Sequence, residues 1–179
     1  MSPAAPTLTG VPVLETERLV LRAPQPADWP VFRDYRASAR TAFTGGRKTE
    51  AEAAQQFASF FGHWIMRGFG RLIAEERATA RPVGHFGPMQ WTDGAEVEIT
   101  WSLWRADAEG RGLAFEAARA VNRWLFGTLG WAAARAEVHA DNHASHTLAR
   151  KLGAKPMPDV PTTWFDAGSV YRFDRTCLA

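Results

Sequence analysis

The sequence holds a single cysteine, Cys177, so no disulfide can form within the chain. That suits a reducing compartment, and a cytoplasmic protein is expected. Long apolar runs are missing; none approaches the roughly 20 residues of a membrane span. Residues 1–12 lack a basic start and an apolar centre, so no signal peptide is expected there. Net charge is also scarce: 21 Lys and Arg against 19 Asp and Glu leave +2. That balance gives no argument for nucleic acid or a membrane surface as partner. His139, His143 and His146 lie close in sequence, but no cysteine accompanies them and no fourth ligand is evident. No metal is therefore expected.

What remains is a globular chain of 179 residues, 46% of them hydrophobic. It is long enough for one domain with a sizeable core. The Pro- and Ala-rich residues 1–13 read as a loose tail, and 14–179 as one domain.

Periodicity gives the elements. Leu19 and Leu21 alternate with Arg18, Val20 and Arg22, so 17–23 reads as a strand. Pro26-Ala27-Asp28 opens a helix that turns Trp29, Phe32 and Tyr35 inward. Thr49 and Glu52 have the spacing of a capping box. The helix they start reaches Arg67, with Ala53, Phe57, Phe60, Phe61 and Trp64 on one side and Gly68 as its stop. Residues 39–48 form a loop between the helices. Residues 71–76 and 82–91 read as a hairpin, with Gly87-Pro88 marking a bulge or an edge. Residues 96–104 alternate cleanly, with Val97, Ile99, Trp101 and Leu103 on one face and Glu96, Glu98, Thr100, Ser102 and Trp104 on the other. Ala114, Ala118, Val121, Leu125 and Leu129 then make a helical stripe. A strand at 135–140, a helix at 142–152 closed by Gly153, and a strand pair within 160–174 complete the order β-α-α-β-β-β-α-β-α-β-β.

The most informative stretch is Glu109-Gly110-Arg111-Gly112-Leu113-Ala114, between a strand and a helix. Its glycines let the backbone turn tightly and approach a ligand. The first helical turn adds amide donors with no helical partner, at the positive end of the dipole. A phosphate or pyrophosphate suits such a place. A Walker loop is excluded, because no Lys-Ser/Thr pair follows Gly112. A dinucleotide fingerprint is excluded too, because Phe115 stands where the third glycine would fall.

This stretch resembles the pyrophosphate loop of the GCN5-related N-acetyltransferases, Gln/Arg-x-x-Gly-x-Gly/Ala, with Gly112 and Ala114 in the last two places. Glu109 departs from the usual Gln or Arg. Leu14-Glu15-Thr16-Glu17-Arg18-Leu19 and Gly112-Leu113-Ala114-Phe115-Glu116-Ala117 resemble the RimJ/RimL-type branch. So does Asn142-His143-Ala144-Ser145 leading to Lys151-Leu152-Gly153. The resemblance covers about 14–175. It implies a mixed α/β fold: a strongly twisted sheet of six to seven strands, helices on both faces, and strands splayed at the cofactor site. It implies transfer of an acetyl group from acetyl-coenzyme A to a primary amine, on a protein N-terminus or a small molecule. A non-catalytic domain that senses acyl-coenzyme A is the alternative. Homodimers are common in such proteins, but no stretch predicts the interface.

By that resemblance, the backbone of Gly110, Arg111, Gly112, Leu113 and Ala114 holds the pyrophosphate. Trp101, Ser102 and Leu103 pair with the pantetheine arm, and Asn142 both caps its helix and contacts that arm. Arg111 either adds charge to the site or points to solvent. Glu98, on the polar strand face, is the leading base; a salt-bridged surface glutamate is the other reading. Glu96 and His85 are weaker candidates. Many relatives carry a tyrosine acid where this chain has Ala149. Ser145 is the nearest substitute, though it also suits a helix cap. Arg150 and Lys151 either reach the 3′-phosphate or sit as ordinary charges in the last turn. Trp104 and Trp164 either wall an acceptor pocket or pack.

Overall fold

The computed structural model describes residues 7–178. The first six residues of the expected tail lie outside that range. Residues 7–13 are irregular, and Leu8 and Val11 pack against the core.

Eight strands form one open sheet: β1 (Leu14–Glu15), β2 (Leu19–Arg22), β3 (Leu72–Glu76), β4 (Arg81–Met89), β5 (Glu98–Leu103), β6 (Ala133–His139), β7 (Lys155–Pro156) and β8 (Gly168–Asp174). Their order is β1-β2-β3-β4-β5-β6-β8-β7, and every neighbouring pair except β5–β6 is antiparallel. The expected six to seven strands become eight because β1 and β7 are two-residue strands. Such strands carry too few residues for a period to show.

Helices cover both faces, as the alternation of β3 requires. Leu72 and Ala74 join the larger core under α3 (Leu113–Asn122) and α4 (His143–Lys151). Ile73 joins a second cluster with Phe32 and Tyr35 of α1 (Trp29–Ala37) and Phe57 and Phe60 of α2 (Glu50–Arg67). The α2 start is the expected capping box. Thr49 Oγ1 accepts from the Glu52 amide at 3.3 Å, and the Glu52 carboxylate accepts from the Thr49 amide at 2.8 Å. Gly68, at φ 71°, ends the helix in the left-handed region that glycine tolerates.

Two expectations are corrected and one is refined. Pro88 sits at a local edge of β4 rather than at its bulge, whose extra residue falls at Val83, opposite the Ala74/Glu75 step. Proline fits because β3 begins at Leu72, opposite Phe86, so no β3 residue faces Pro88. The α3 stripe drifts, leaving Leu129 44% exposed, because the helix widens to π geometry at Arg123–Thr128. Last, 160–167 is loop; β8 pairs instead with β6 and with β7, just after Gly153.

Candidate active site

β5 and β6 run parallel but pair at one position, Glu98 opposite Arg135. The Arg135 amide donates to the Val97 carbonyl at 2.9 Å on the near side of that point. Past it the strands part, while β5 stays paired with β4 as far as Leu103. The remaining edge of β5 therefore offers backbone groups that no strand satisfies.

This splay opens onto a cavity of about 520 Å³. Glu98, Trp101, Ser102, Asn142 and Ser145 all line it, together with His85 and Trp164, so seven residues singled out in the sequence meet here. Leu103 does not; its side chain packs on the core, and its carbonyl accepts from Arg40 at 3.2 Å.

The glycine loop lies just after β5, outside this lining. Gly110 (φ 70°) and Gly112 (φ 78°) are left-handed, a conformation that a Cβ disfavours. Gly112 is the N-cap of α3, and helical bonding begins with the Glu116 amide donating to its carbonyl at 3.1 Å. Among the described residues, the amides of Gly110, Arg111, Gly112, Leu113 and Ala114 find no protein acceptor. Leu113 is fully buried and anchors the turn. The result is a cluster of donors at a helix N-terminus, which suits an anion.

The charged neighbours of the loop are already engaged. Arg111 pairs with Glu76 while its side chain stays 44% exposed. The Arg111 carbonyl accepts from Arg18 at 2.8 Å, and Arg18 is also paired with Glu116 at 2.6 Å. Glu109 binds Arg40 at 2.7 Å, so its departure from Gln or Arg has a structural use.

Glu98 is held, not free. The Trp164 indole donates to its two oxygens at 2.8 and 2.9 Å, and Arg135 Nε stands 3.6 Å away. Burial raises the Glu98 carboxyl above its ordinary range, against the lowering pull of Trp164 and Arg135. Trp164, 51% exposed, therefore walls the cavity, whereas Trp104 packs in the core. Glu96 is exposed and lines no part of the cavity. His85 lines it, but its Nδ1 accepts from Trp104 Nε1 at 3.0 Å, and burial pushes it well below its ordinary value.

Asn142 is the N-cap of α4, accepting from the Ser145 amide at 3.1 Å. The Ser145 hydroxyl accepts from Trp101 Nε1 at 3.1 Å, which leaves its own proton to donate. Ala149 is fully buried in the core, and Arg150 and Lys151 are exposed. His146 binds Tyr171 and two backbone carbonyls, and no metal-holding group occurs among the described residues.

Sequence reasoning missed Glu137, whose side chain is 1% exposed. It accepts from the amides of Thr163 and Trp164 at 2.7 and 2.9 Å and pairs with Arg135. It thereby fixes the loop whose indole holds Glu98. Alternation was the available signal: Arg135, Glu137 and His139 share one face of β6.

Comparison with known proteins agrees with this architecture. Residues 18–155 match the family model described as acetyltransferase (GNAT) domain. The chain belongs to that acetyltransferase family. An acetyltransferase from Agrobacterium tumefaciens str. C58 is 31% identical, with a TM-score of 0.85 over 97% of this chain and 100% of that one. A GNAT-family acetyltransferase from Bacillus anthracis is 18% identical, with a TM-score of 0.72 over 89% and 95%. A ribosomal-protein-S5-alanine acetyltransferase from Vibrio fischeri is 13% identical, with a TM-score of 0.71 over 90% and 96%. The last two share the fold. No curated protein matched the chain. No described helix is long and apolar enough to cross a membrane.

Proposed function

We propose that this protein transfers the acetyl group of acetyl-coenzyme A to a primary amine, by direct attack while both substrates are bound. The observation that carries this reading is the splay of β5 from β6, with Glu98 and Ser145 lining the cavity at its mouth. The unpaired edge of β5 matches the amide groups of a pantetheine arm. The free amides of residues 110–114 match its pyrophosphate. Residues 14–179 act as one cytoplasmic catalytic domain of the RimJ/RimL type.

The chemistry follows from what the chain supplies. An ammonium must lose a proton before it attacks. Glu98, kept more basic by burial, takes that proton directly or through water. The amine nitrogen then bonds to the thioester carbonyl carbon and loses its second proton to water, and the carbon–sulfur bond breaks. The thiolate takes a proton from Ser145, whose hydroxyl regains one from solvent. The products are an acetamide, free coenzyme A and one released proton. Holding both substrates in one cleft supplies much of the rate.

Thiol release from acetyl-coenzyme A, measured against a panel of amines, tests this. Release that requires an amine, with the acetylated amine seen by mass spectrometry, is the expected result. Acetyl-coenzyme A that binds but yields no thiol with any amine contradicts transfer and favours a sensor.

A further inference from the structure

Arg71 lies just before β3, on the sheet face that α1 and α2 cover. Its guanidinium stands 4.1 Å over the Phe60 ring and the residue is only 8% exposed. It donates one hydrogen bond, to Ser59 Oγ at 3.1 Å, and its Nε is buried without a partner. No described carboxylate pairs with it. Burial pushes it down to about 9, and no acid opposes that shift. A buried cation without an anion is costly, so it needs a reason.

The surroundings repeat the pattern. Arg36, 3% exposed, donates only to the neutral oxygens of Thr44 and Gly46, at 3.1 to 3.2 Å. His85 is kept neutral by burial and by both arginines. All three line the cavity that holds Glu98. The cavity therefore carries acids from β5 and β6, Glu98 and Glu137, and unpaired cations from α1 and the start of β3.

The strand register sets Arg71 in one row with β5. Leu72 pairs with Phe86, which sets Arg71 opposite Gly87, and Gly87 pairs with Thr100. Gly87 puts no side chain in that row; a Cβ there would stand 2.8 Å from the Gly70 carbonyl and 3.0 Å from the Arg71 Cα. Glu98 lies two residues along β5 from Thr100, on the same face.

We infer that the acceptor amine also carries a carboxylate, bound by Arg71 and Ser59 while its amine faces Glu98. This rests on the acetyl-transfer reading above. A guanidinium fork matches the two oxygens of a carboxylate, and one such anion balances one unpaired cation. The acceptor is thus a small amino acid-like molecule; an internal peptide bond would leave Arg71 without an anion. A cavity of about 520 Å³ has the size for it.

The test measures thiol release with leucine, phenylalanine and glutamate, with leucinamide and phenylalaninamide, and with O-phosphoethanolamine. Carboxylates should exceed the matched amides at least tenfold in kcat/KM. R71M should bring that ratio near parity by raising KM for the carboxylates. It should not lower the Tm, since it removes an unpaired buried charge. R71K, which keeps the charge without the fork, should retain part of the preference and covers the case of an unstable R71M. Amides that match the carboxylates, a preference that survives both variants, or a phosphorylated amine that outruns the carboxylates would each overturn the assignment. Turnover of amides alone overturns only this inference. Binding of acetyl-coenzyme A without turnover of any amine overturns the transfer reading with it.

Discussion

Replacing Trp164 with phenylalanine deletes one donor and keeps a ring. The lost group is the indole N–H shared by both Glu98 oxygens, at 2.8 and 2.9 Å. A hydrogen bond to a charged group contributes about 1.5–3 kcal/mol. Trp164 is 51% exposed, so water replaces part of the bond and the lower figure applies. About 1.5 kcal/mol corresponds to about tenfold in an equilibrium. The bond favours the carboxylate over the acid, so its loss raises Glu98 beyond the rise that burial already causes. The acidic limb of the kcat/KM profile should therefore move to higher pH. On that limb the W164F variant should be about tenfold slower than the parent, whereas at high pH the two should agree. Initial rates of thiol release across the pH range measure both regions. A limb that stays in place, or moves to lower pH, would mean that another group titrates and that Glu98 is not the base.

Three further outcomes are expected. Ser145→Ala should lower kcat about tenfold, less than the roughly hundredfold usual for a lost general acid because a thiolate already leaves readily, with KM for acetyl-coenzyme A nearly unchanged; an unaltered kcat removes Ser145 from the chemistry. Glu137→Ala should cost about 3 kcal/mol, since it removes the closer of the two carboxylates beside Arg135 and the acceptor of two loop amides. It should also raise KM for the amine; a lowered Tm with unchanged KM would confine Glu137 to stability. Burial raises Glu98, so the folded chain keeps a proton that the unfolded chain has released. That contribution is complete below the ordinary carboxylate range and is lost as pH rises through the raised value. Melting curves of the parent should thus fall relative to Glu98→Gln across that window, and parallel curves would contradict the assignment.

Long periodic segments were legible in the sequence because one interaction dictates each of them. The Thr49–Glu52 box starts α2, Gly68 and Gly153 end helices, and the alternation along β5, continued one residue beyond it, sends Ile99 and Trp104 to opposite cores. The elements that escaped are set by tertiary pairing. β1 and β7 have two residues each, and 160–167 becomes loop because Lys155–Pro156 takes the place beside β8. In the site, the glycine turn could be read because two left-handed residues in a row of three demand glycine. Glu98 could be read from its strand face. Its partner Trp164 could not, because that contact spans 66 positions through a loop that Glu137 fixes. Arg71 was hidden for the same reason: a strand-edge arginine looks solvated until α2 is laid across it.

Calorimetric titration with acetyl-coenzyme A, beside ATP and NAD, tests the cofactor site most directly. Selective binding of acetyl-coenzyme A is predicted for the parent. In Gly112→Trp, whose side chain fills the turn, affinity should fall at least about 100-fold, or nearly 3 kcal/mol. Circular dichroism should show that variant folded. Equal affinity in a folded variant, or no selective binding by the parent, would contradict the reading of residues 110–114 as the pyrophosphate cradle.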